Sequence, residues 1–278
     1  MVLLAIFALL PLGCGGDGQP TLFTRDRLNV GVKNDQPGTS VWDSYNRSGF
    51  DIQLAYRLAD AEGVKPIKVR FDDVPSGDRV QSLKDNRVDL VIATFSMTPA
   101  RMTDIDFAGP YAVTYQGFLV RKGGPPIKTI DDLKGATVCT WTGTTSESEI
   151  QRRPDIYNKS MNAAQDCINA LQSGQVTAVS TDQLILYGFA HHDPSHTLEV
   201  VPDVTIGAPN YYGVGINKAH RPDCKKLADD LQKYVASSSW QADFLLAFPD
   251  LADGDKWTNF RPKPEYVSSW SCRDKLPN

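Results

Sequence analysis

From Leu28 onward short β-rich runs alternate with helical stretches, and that alternation restricts the chain to an α/β fold with mostly parallel strands. Residues 28–32 read as the first strand. Residues 51–62 read as a helix, with Ile52, Ala55, Leu58 and Ala59 at helical spacing and Asp51 suited to its N-terminal dipole. A helical stretch over 80–84 is broken by Asp85-Asn86 before a buried strand over 88–93. Thr98-Pro99 opens the next helix, Thr as cap and Pro at the first helical position. Strand-like residues 117–120 precede Gly123-Gly124-Pro125-Pro126, a punctuation expected to mark a crossing between lobes. Then come a strand over 136–141, a polar loop over 142–145, and a helix from Ser146, whose spacing to Glu149 is that of a capping box. A second crossing is expected over 213–216, and a helix over 225–236 returns the chain to the first lobe.

A chain of 278 residues is long for one core and short for three, so two lobes are expected. Residues 26–120 with 215–278 form one and residues 121–214 the other. An internal comparison supports this. Residues 80–94 and 168–182 share a helix, a polar turn and a strand at fixed spacing, with Leu83 matching Leu171, Val88 matching Val176, and Val91 matching Val179. One copy ends in Thr94, the other in Asp182. Equivalent strand ends facing a shared crevice are where ligands bind in open α/β sheets.

Strand ends and helix starts deliver Lys33, Arg79, Thr94, Ser96, Arg101, Thr144, Thr145 and Asp182 to that crevice. Such a set binds a small zwitterion. Arg101 offers a planar fork for a carboxylate, Asp182 a carboxylate for an ammonium, and Thr144 and Thr145 hydroxyl and N–H groups just before a helix. Neither a metal motif nor a Gly-rich phosphate loop is present, so no cofactor is expected. His191, His192 and His196 read as a solvated loop. The net charge of −4 and the lack of a Lys/Arg run argue against nucleic acid as a partner.

At the N-terminus, twelve nearly all apolar residues precede Gly13-Cys14-Gly15-Gly16. The run is too short to span a bilayer and suits an export signal, with residues 1–25 as signal and tether. Small residues around Cys14 resemble a lipobox, which makes Cys14 the lipidation candidate and places the protein on the outer face of the cell membrane. Pro11 stands where that motif has Leu, and a cleaved soluble signal is the alternative. The other cysteines, Cys139, Cys167, Cys224 and Cys272, allow three disulfide pairings in an exported chain. Cys139 with Cys167 and Cys224 with Cys272 is preferred, because each pair then lies within one segment.

Gly49-Phe50-Asp51-Ile52, residues 79–94, Ser96-Met97-Thr98-Pro99-Ala100-Arg101 and Phe107-Ala108-Gly109-Pro110-Tyr111 resemble the family 3 extracellular solute-binding proteins, receptors of ABC importers for polar amino acids. The similarity runs over 28–248. It implies a two-lobed, periplasmic-binding-protein-like type II fold, each lobe a mostly parallel sheet flanked by helices, with two hinge crossings. A monomer that catalyses nothing and docks on an ABC permease is implied as well. Residues 31–38, 76–79 and 142–147 look most like the glutamate/aspartate-binding branch. On that resemblance Arg101 holds the α-carboxylate, Asp182 the α-ammonium and Arg79 a side-chain carboxylate, with Lys33 as a further basic residue. Ala164 or Gln165 stands where part of the branch has a His. A glutamine or asparagine receptor, an extracellular sensor and a dehydratase on the same scaffold are the alternative readings.

Overall fold

The computed structural model describes residues 20–276, so the apolar leader and Cys14 lie outside the described residues. Strand β1 (Leu28–Val32) is followed by a small antiparallel sheet of β2 (Asp35–Gln36), β3 (Ser40–Trp42) and β4 (Arg47–Ser48). That sheet delivers the chain to α1 (Phe50–Ala61), whose expected stripe of Ile52, Ala55, Leu58 and Ala59 is buried together with Phe50 and Leu54. Next come β5 (Val69–Asp73), α2 (Arg79–Lys84), β6 (Leu90–Val91), α3 (Pro99–Asp104) and the sixteen-residue β7 (Asp106–Arg121). The second half adds β8 (Thr137–Trp141), α4 (Thr145–Gln151), β9 (Tyr157–Met161), α5 (Ala164–Gln172), β10 (Ala178–Asp182), α6 (Gln183–His191), β11 (Leu198–Val200) and β12 (Ile206–Ile216). Helices α7 (Arg221–Ala236), α8 (Ser238–Ala247) and α9 (Pro264–Trp270) close the described chain.

Two of these elements differ instructively from expectation. The strand expected over 88–93 is regular only at β6, because the chain then bends: the Thr94 N–H goes to a side chain, Asp51 Oδ2, rather than into a ladder. Helix α7 starts earlier than residue 225, because Pro222 fits its first turn.

The sheet runs β5-β1-β6-β12-β7-β10-β8-β9, with β11 also on β7. Pairs β5-β1-β6 are parallel at one end and β10-β8-β9 at the other, so the α/β class and two-lobed type II layout hold. The centre is antiparallel. Strand β7 pairs with β12 from Asp106 to Gln116, with β10 from Gln116 and with β11 from Leu119. Opposite that changeover β12 shifts register between Ile206 and Asn210. The chain therefore passes between the lobes inside this two-strand ladder. Gly123-Gly124-Pro125-Pro126, expected as a crossing, is an exposed turn beyond the end of β7, and residues 213–216 already lie within the first lobe's pairing.

Apolar clusters follow the same division. Val30, Leu54, Leu90, Val214 and Leu231 share one core, whereas Leu119, Cys139, Val179 and Leu186 share another. Disulfides tie β8 to α5 through Cys139–Cys167 and α7 to the tail after α9 through Cys224–Cys272, with Cα–Cα distances of 5.6 and 5.9 Å. No helix among the described residues is long and apolar enough to cross a membrane.

The lobes meet closely, and at two places only glycine fits. A Cβ on Gly188 of α6 would stand 1.8 Å from the Pro37 carbonyl oxygen of the opposite lobe, and one on Gly143 would stand 2.4 Å from Gly77 Cα. Such approaches to backbone cannot be relieved by a rotamer change. Alanine at a helical position otherwise stabilises by about 0.5–1 kcal/mol over glycine. Gly188→Ala is therefore expected to hold the lobes apart while leaving each folded: small-angle scattering should give a larger radius of gyration, with the melting temperature kept within a few degrees. An unchanged scattering profile would mean that this contact does not set the closed arrangement.

Candidate functional site

Both halves of the internal repeat end at one place. In the first lobe the chain after β6 reaches Thr94 in the left-handed region (φ 46°), an uncommon conformation for a residue with a side chain. Asp51 holds it there, accepting from the Thr94 N–H at 2.9 Å and from the Tyr111 hydroxyl at 2.7 Å. Burial of Asp51 outweighs those bonds and lifts its carboxyl to about 7. In the second lobe β10 ends at Asp182, which accepts from Asn210 Nδ2 and from the Tyr212 hydroxyl, both at 2.7 Å. Burial raises the Asp182 carboxyl as well and pushes the Tyr212 hydroxyl far above its ordinary value.

Between these strand ends lies a narrow cavity of about 10 Å³. Of the expected residues, Arg79, Thr94, Ser96, Thr144, Thr145 and Asp182 line it. Arg101 lines the adjoining groove that shares Thr144 and Thr145, and Lys33 lines neither space. Gln36, Ser76, Trp141, Ser146, Thr181 and Ile185 complete the wall. Trp141 and Thr181 sit at ends of β8 and β10, so the strand-end rule that selected Asp182 also reaches them. Asn210 and Tyr212 carry no such signal, since they come from a long strand far away in sequence.

The cations are tightly held. Arg79 donates to the carbonyls of Ser76 (3.0 Å), Ala93 (2.8 Å), Thr94 (3.0 Å) and, across the cleft, Gly143 (3.3 Å). Four of the five guanidinium N–H groups are thereby engaged. Arg101 donates to Ser96 O at 2.8 Å and to the same Gly143 O at 3.1 Å. Both guanidinium carbons lie over the Phe95 ring, at 4.6 and 4.9 Å, within cation–π range. Burial lowers Arg79 to about 9, helped by the neighbouring Arg101, and burial lowers Arg101 to about 10 against the attraction of Asp182. Lys33 Nζ stands 3.9 Å from Asp35 Oδ1, and burial brings it down to about 8.

Thr144 does something other than expected. It caps α4, its hydroxyl accepting from Glu147 N at 3.0 Å and donating to Trp141 O at 2.7 Å. The helix begins at Thr145, so the expected Ser146–Glu149 capping pair is replaced by Thr144–Glu147, and Glu147 Oε2 turns back to the Gly143 N–H at 2.9 Å. A comparable bond spans the lobes at α5. Its N-cap, Ala163, has no capping side chain, and Asp35 of the first lobe accepts from Ala164 N at 2.8 Å instead. His191 pairs with Asp250 at 3.0 Å and His192 with Gly188 O at 2.9 Å. Among the described residues no group of three His, Cys, Asp or Glu could hold a metal ion.

The position of Asp51 has a consequence for stability. Between the ordinary value of 3.8 and about 7 the folded chain keeps this carboxyl protonated while the unfolded chain ionises it. The unfolded state then binds fewer protons, so this residue makes stability fall as pH rises through that window. Asp51→Asn is expected to remove that part of the decline, read as the difference between wild-type and variant unfolding midpoints from pH 4 to pH 7. Two curves that stay parallel would show that Asp51 is ionised throughout.

Known proteins place the chain in one family. Residues 28–242 match the description of the bacterial extracellular solute-binding proteins, family 3. The glutamate-binding protein GluB of Corynebacterium efficiens is 30% identical over 236 residues, covering 82% of this chain and 80% of that protein. The glutamine-binding protein of Geobacillus stearothermophilus is 32% identical over 209 residues, covering 74% and 78%. Among solved structures, an ancestral arginine-binding protein bound to arginine superposes with a TM-score of 0.73 at 27% identity, covering 81% of this chain and 99% of that one. The strand-end cavity, the antiparallel ladder joining two parallel sheets and the matched span together identify the chain as a member of the bacterial extracellular solute-binding proteins of family 3.

Proposed function

We propose that this protein captures an acidic amino acid, glutamate or aspartate, by closing its lobes and delivers it to the permease of an ABC importer without any turnover. The observation that carries the reading is charge: Arg79 on the cavity wall and Arg101 in the adjoining groove stand near Asp182, the one carboxylate on the cavity wall, while Glu147 and Glu149 belong to the groove. A zwitterion balances one cation and one anion. The further positive charge calls for a ligand with a second carboxylate. In this reading Arg101 meets the α-carboxylate, Asp182 the α-ammonium, and Arg79 directs its remaining N–H to the side-chain carboxylate, with Lys33 adding to the potential from behind. The similarity to a glutamate-binding protein supports the same ligand class. Export and tethering through Cys14 would place the receptor outside the cell, acting as a monomer.

Closure follows from contacts made to both lobes at once, since a ligand shifts a conformational equilibrium only by its differential affinity for the two states. A second reading, a carboxamide ligand, is favoured by the four carbonyl bonds that already engage Arg79 and by the glutamine-binding relative.

Calorimetric titration with glutamate, aspartate, glutamine, asparagine and arginine tests the reading. An acidic amino acid is expected to bind at least about tenfold more tightly than its amide; the reverse order would establish the carboxamide reading, and failure of all five would remove both. Loss of a hydrogen bond to a charged group costs about 1.5–3 kcal/mol. Arg101→Ala is thus expected to weaken every bound amino acid roughly 10- to 100-fold. Affinity retained by this variant would remove the α-carboxylate role from Arg101.

A further inference from the structure

Helix α5 has no cap of its own. Its N-cap residue, Ala163, carries no hydrogen-bonding side chain, so the free N–H groups of the first turn depend on an acceptor from elsewhere. Asp35 of β2, in the opposite lobe, supplies one: its Oδ2 accepts from Ala164 N at 2.8 Å. A carboxylate suits that place twice, as an acceptor and as a negative charge at the positive end of the helix dipole. The bond also acts on a rigid body, because the Cys139–Cys167 disulfide fixes α5 to β8 of its own lobe.

The other oxygen of the same carboxylate accounts for Lys33. Asp35 Oδ1 is buried and receives no hydrogen bond among the described residues. Lys33 Nζ stands 3.9 Å from it and donates to Val74 O at 3.5 Å. Lys33 is 5% exposed and lines neither the cavity nor the groove. A buried ammonium needs a counter-charge, and the carboxylate beside this one is Asp35. Both residues follow β1 within three positions, so the pair travels with the first lobe as one unit.

We infer that Lys33 and Asp35 form a latch of lobe closure, Asp35 capping α5 of the opposite lobe and Lys33 acting through Asp35 as a positioning residue rather than touching the ligand. The inference rests on capture by closing lobes and refines that reading at one residue, whose charge is taken up by Asp35 instead of being offered to the ligand. Because the bond to α5 forms only when the lobes meet, it strengthens the closed complex of every ligand by the same factor, whatever the ligand's side chain. A basic residue that reached the ligand would instead discriminate between a carboxylate and its amide.

Calorimetric titration of glutamate and glutamine into the wild type and its variants tests the latch. Asp35→Ala is expected to weaken both ligands roughly 3- to 30-fold, the worth of a helix N-cap, and by the same factor for each. Lys33→Met should also weaken both equally, and should add nothing in an Asp35→Ala background, since a residue that acts through another has no effect once that other is gone. Ala163→Asp gives α5 a cap within its own lobe and sets a like charge against Asp35. It is expected to weaken both ligands while keeping or raising the melting temperature of the unliganded protein, which separates lost closure from lost folding. A Lys33→Met protein that loses about tenfold more affinity for glutamate than for glutamine overturns the inference and places Lys33 at the ligand. Wild-type affinity of Asp35→Ala for both ligands overturns it too. The glutamate-to-glutamine ratio of the wild type decides the acidic reading by itself, so a preference for glutamine removes that reading and leaves the latch standing.

Discussion

One buried carboxyl organises the first lobe's half of the site. Asp51, in the first turn of α1, takes the Thr94 N–H and the Tyr111 hydroxyl, and so ends β6 in a left-handed residue instead of letting the strand continue. That bend turns the Ala93 and Thr94 carbonyls toward Arg79 and sets the Thr94 hydroxyl beside Gln36. The arginine in turn reaches Gly143 of the other lobe. A single side chain at a helix start therefore reaches, through three bonded neighbours, the residues that meet across the cleft. Its fully buried position also explains the raised carboxyl: the hydrogen bonds favour the charged form, but low-dielectric surroundings favour the neutral one more.

Closure is built from few contacts, each geometrically demanding. Arg79 and Arg101 share the Gly143 carbonyl, Asp35 caps α5 from the opposite lobe, and α6 rests Gly188 on the turn around Pro37. None of these is large by itself, since a typical net hydrogen bond contributes about 0.5–1.5 kcal/mol. Small increments suit a binding protein. A strongly favoured closed state would exclude ligand, whereas a weakly favoured one lets the ligand's own contacts decide the population. The hinge complements this. Where β7 changes partners and β12 shifts register, the ladder is locally irregular, and such a place can absorb backbone rotation without breaking either core.

How much of this the sequence discloses depends on range. The α1 stripe, the Thr98-Pro99 helix start and the strand end at Asp182 are local patterns that stand where periodicity and capping chemistry place them, whereas Thr94 reaches the site past the end of β6. Six of the eight expected site residues share one cavity for the same reason. What local patterns miss is competition. Ser146 is the expected cap, yet Thr144 takes that place, with Glu147 accepting from the Gly143 N–H four residues back. Arg79 is expected to meet a side-chain carboxylate, yet three nearby carbonyls engage it once α2 and the chain after β6 are apposed. Asn210 and Tyr212 reach Asp182 only because β12 runs beside β7, a pairing about a hundred residues apart that no window of sequence discloses. The Gly-Gly-Pro-Pro turn looks like a hinge because flexible residues are easy to see, while the ladder that joins the lobes is made of ordinary strand residues.

The remaining question is why so much positive charge is kept where desolvation opposes it. Burial lowers Arg79 to about 9, Arg101 to about 10 and Lys33 to about 8, each well below its ordinary value. Carbonyl oxygens and the Phe95 ring supply partial negative charge to the two arginines, Asp182 attracts both, and Lys33 stands 3.9 Å from the Asp35 carboxylate. The close seam at Gly188 and Gly143 tightens the opposition by keeping the lobes near enough to exclude water, which strengthens every charge interaction inside. On the acidic reading proposed above, an anionic side chain would offset that charge beside Arg79, whose one remaining N–H asks for an acceptor.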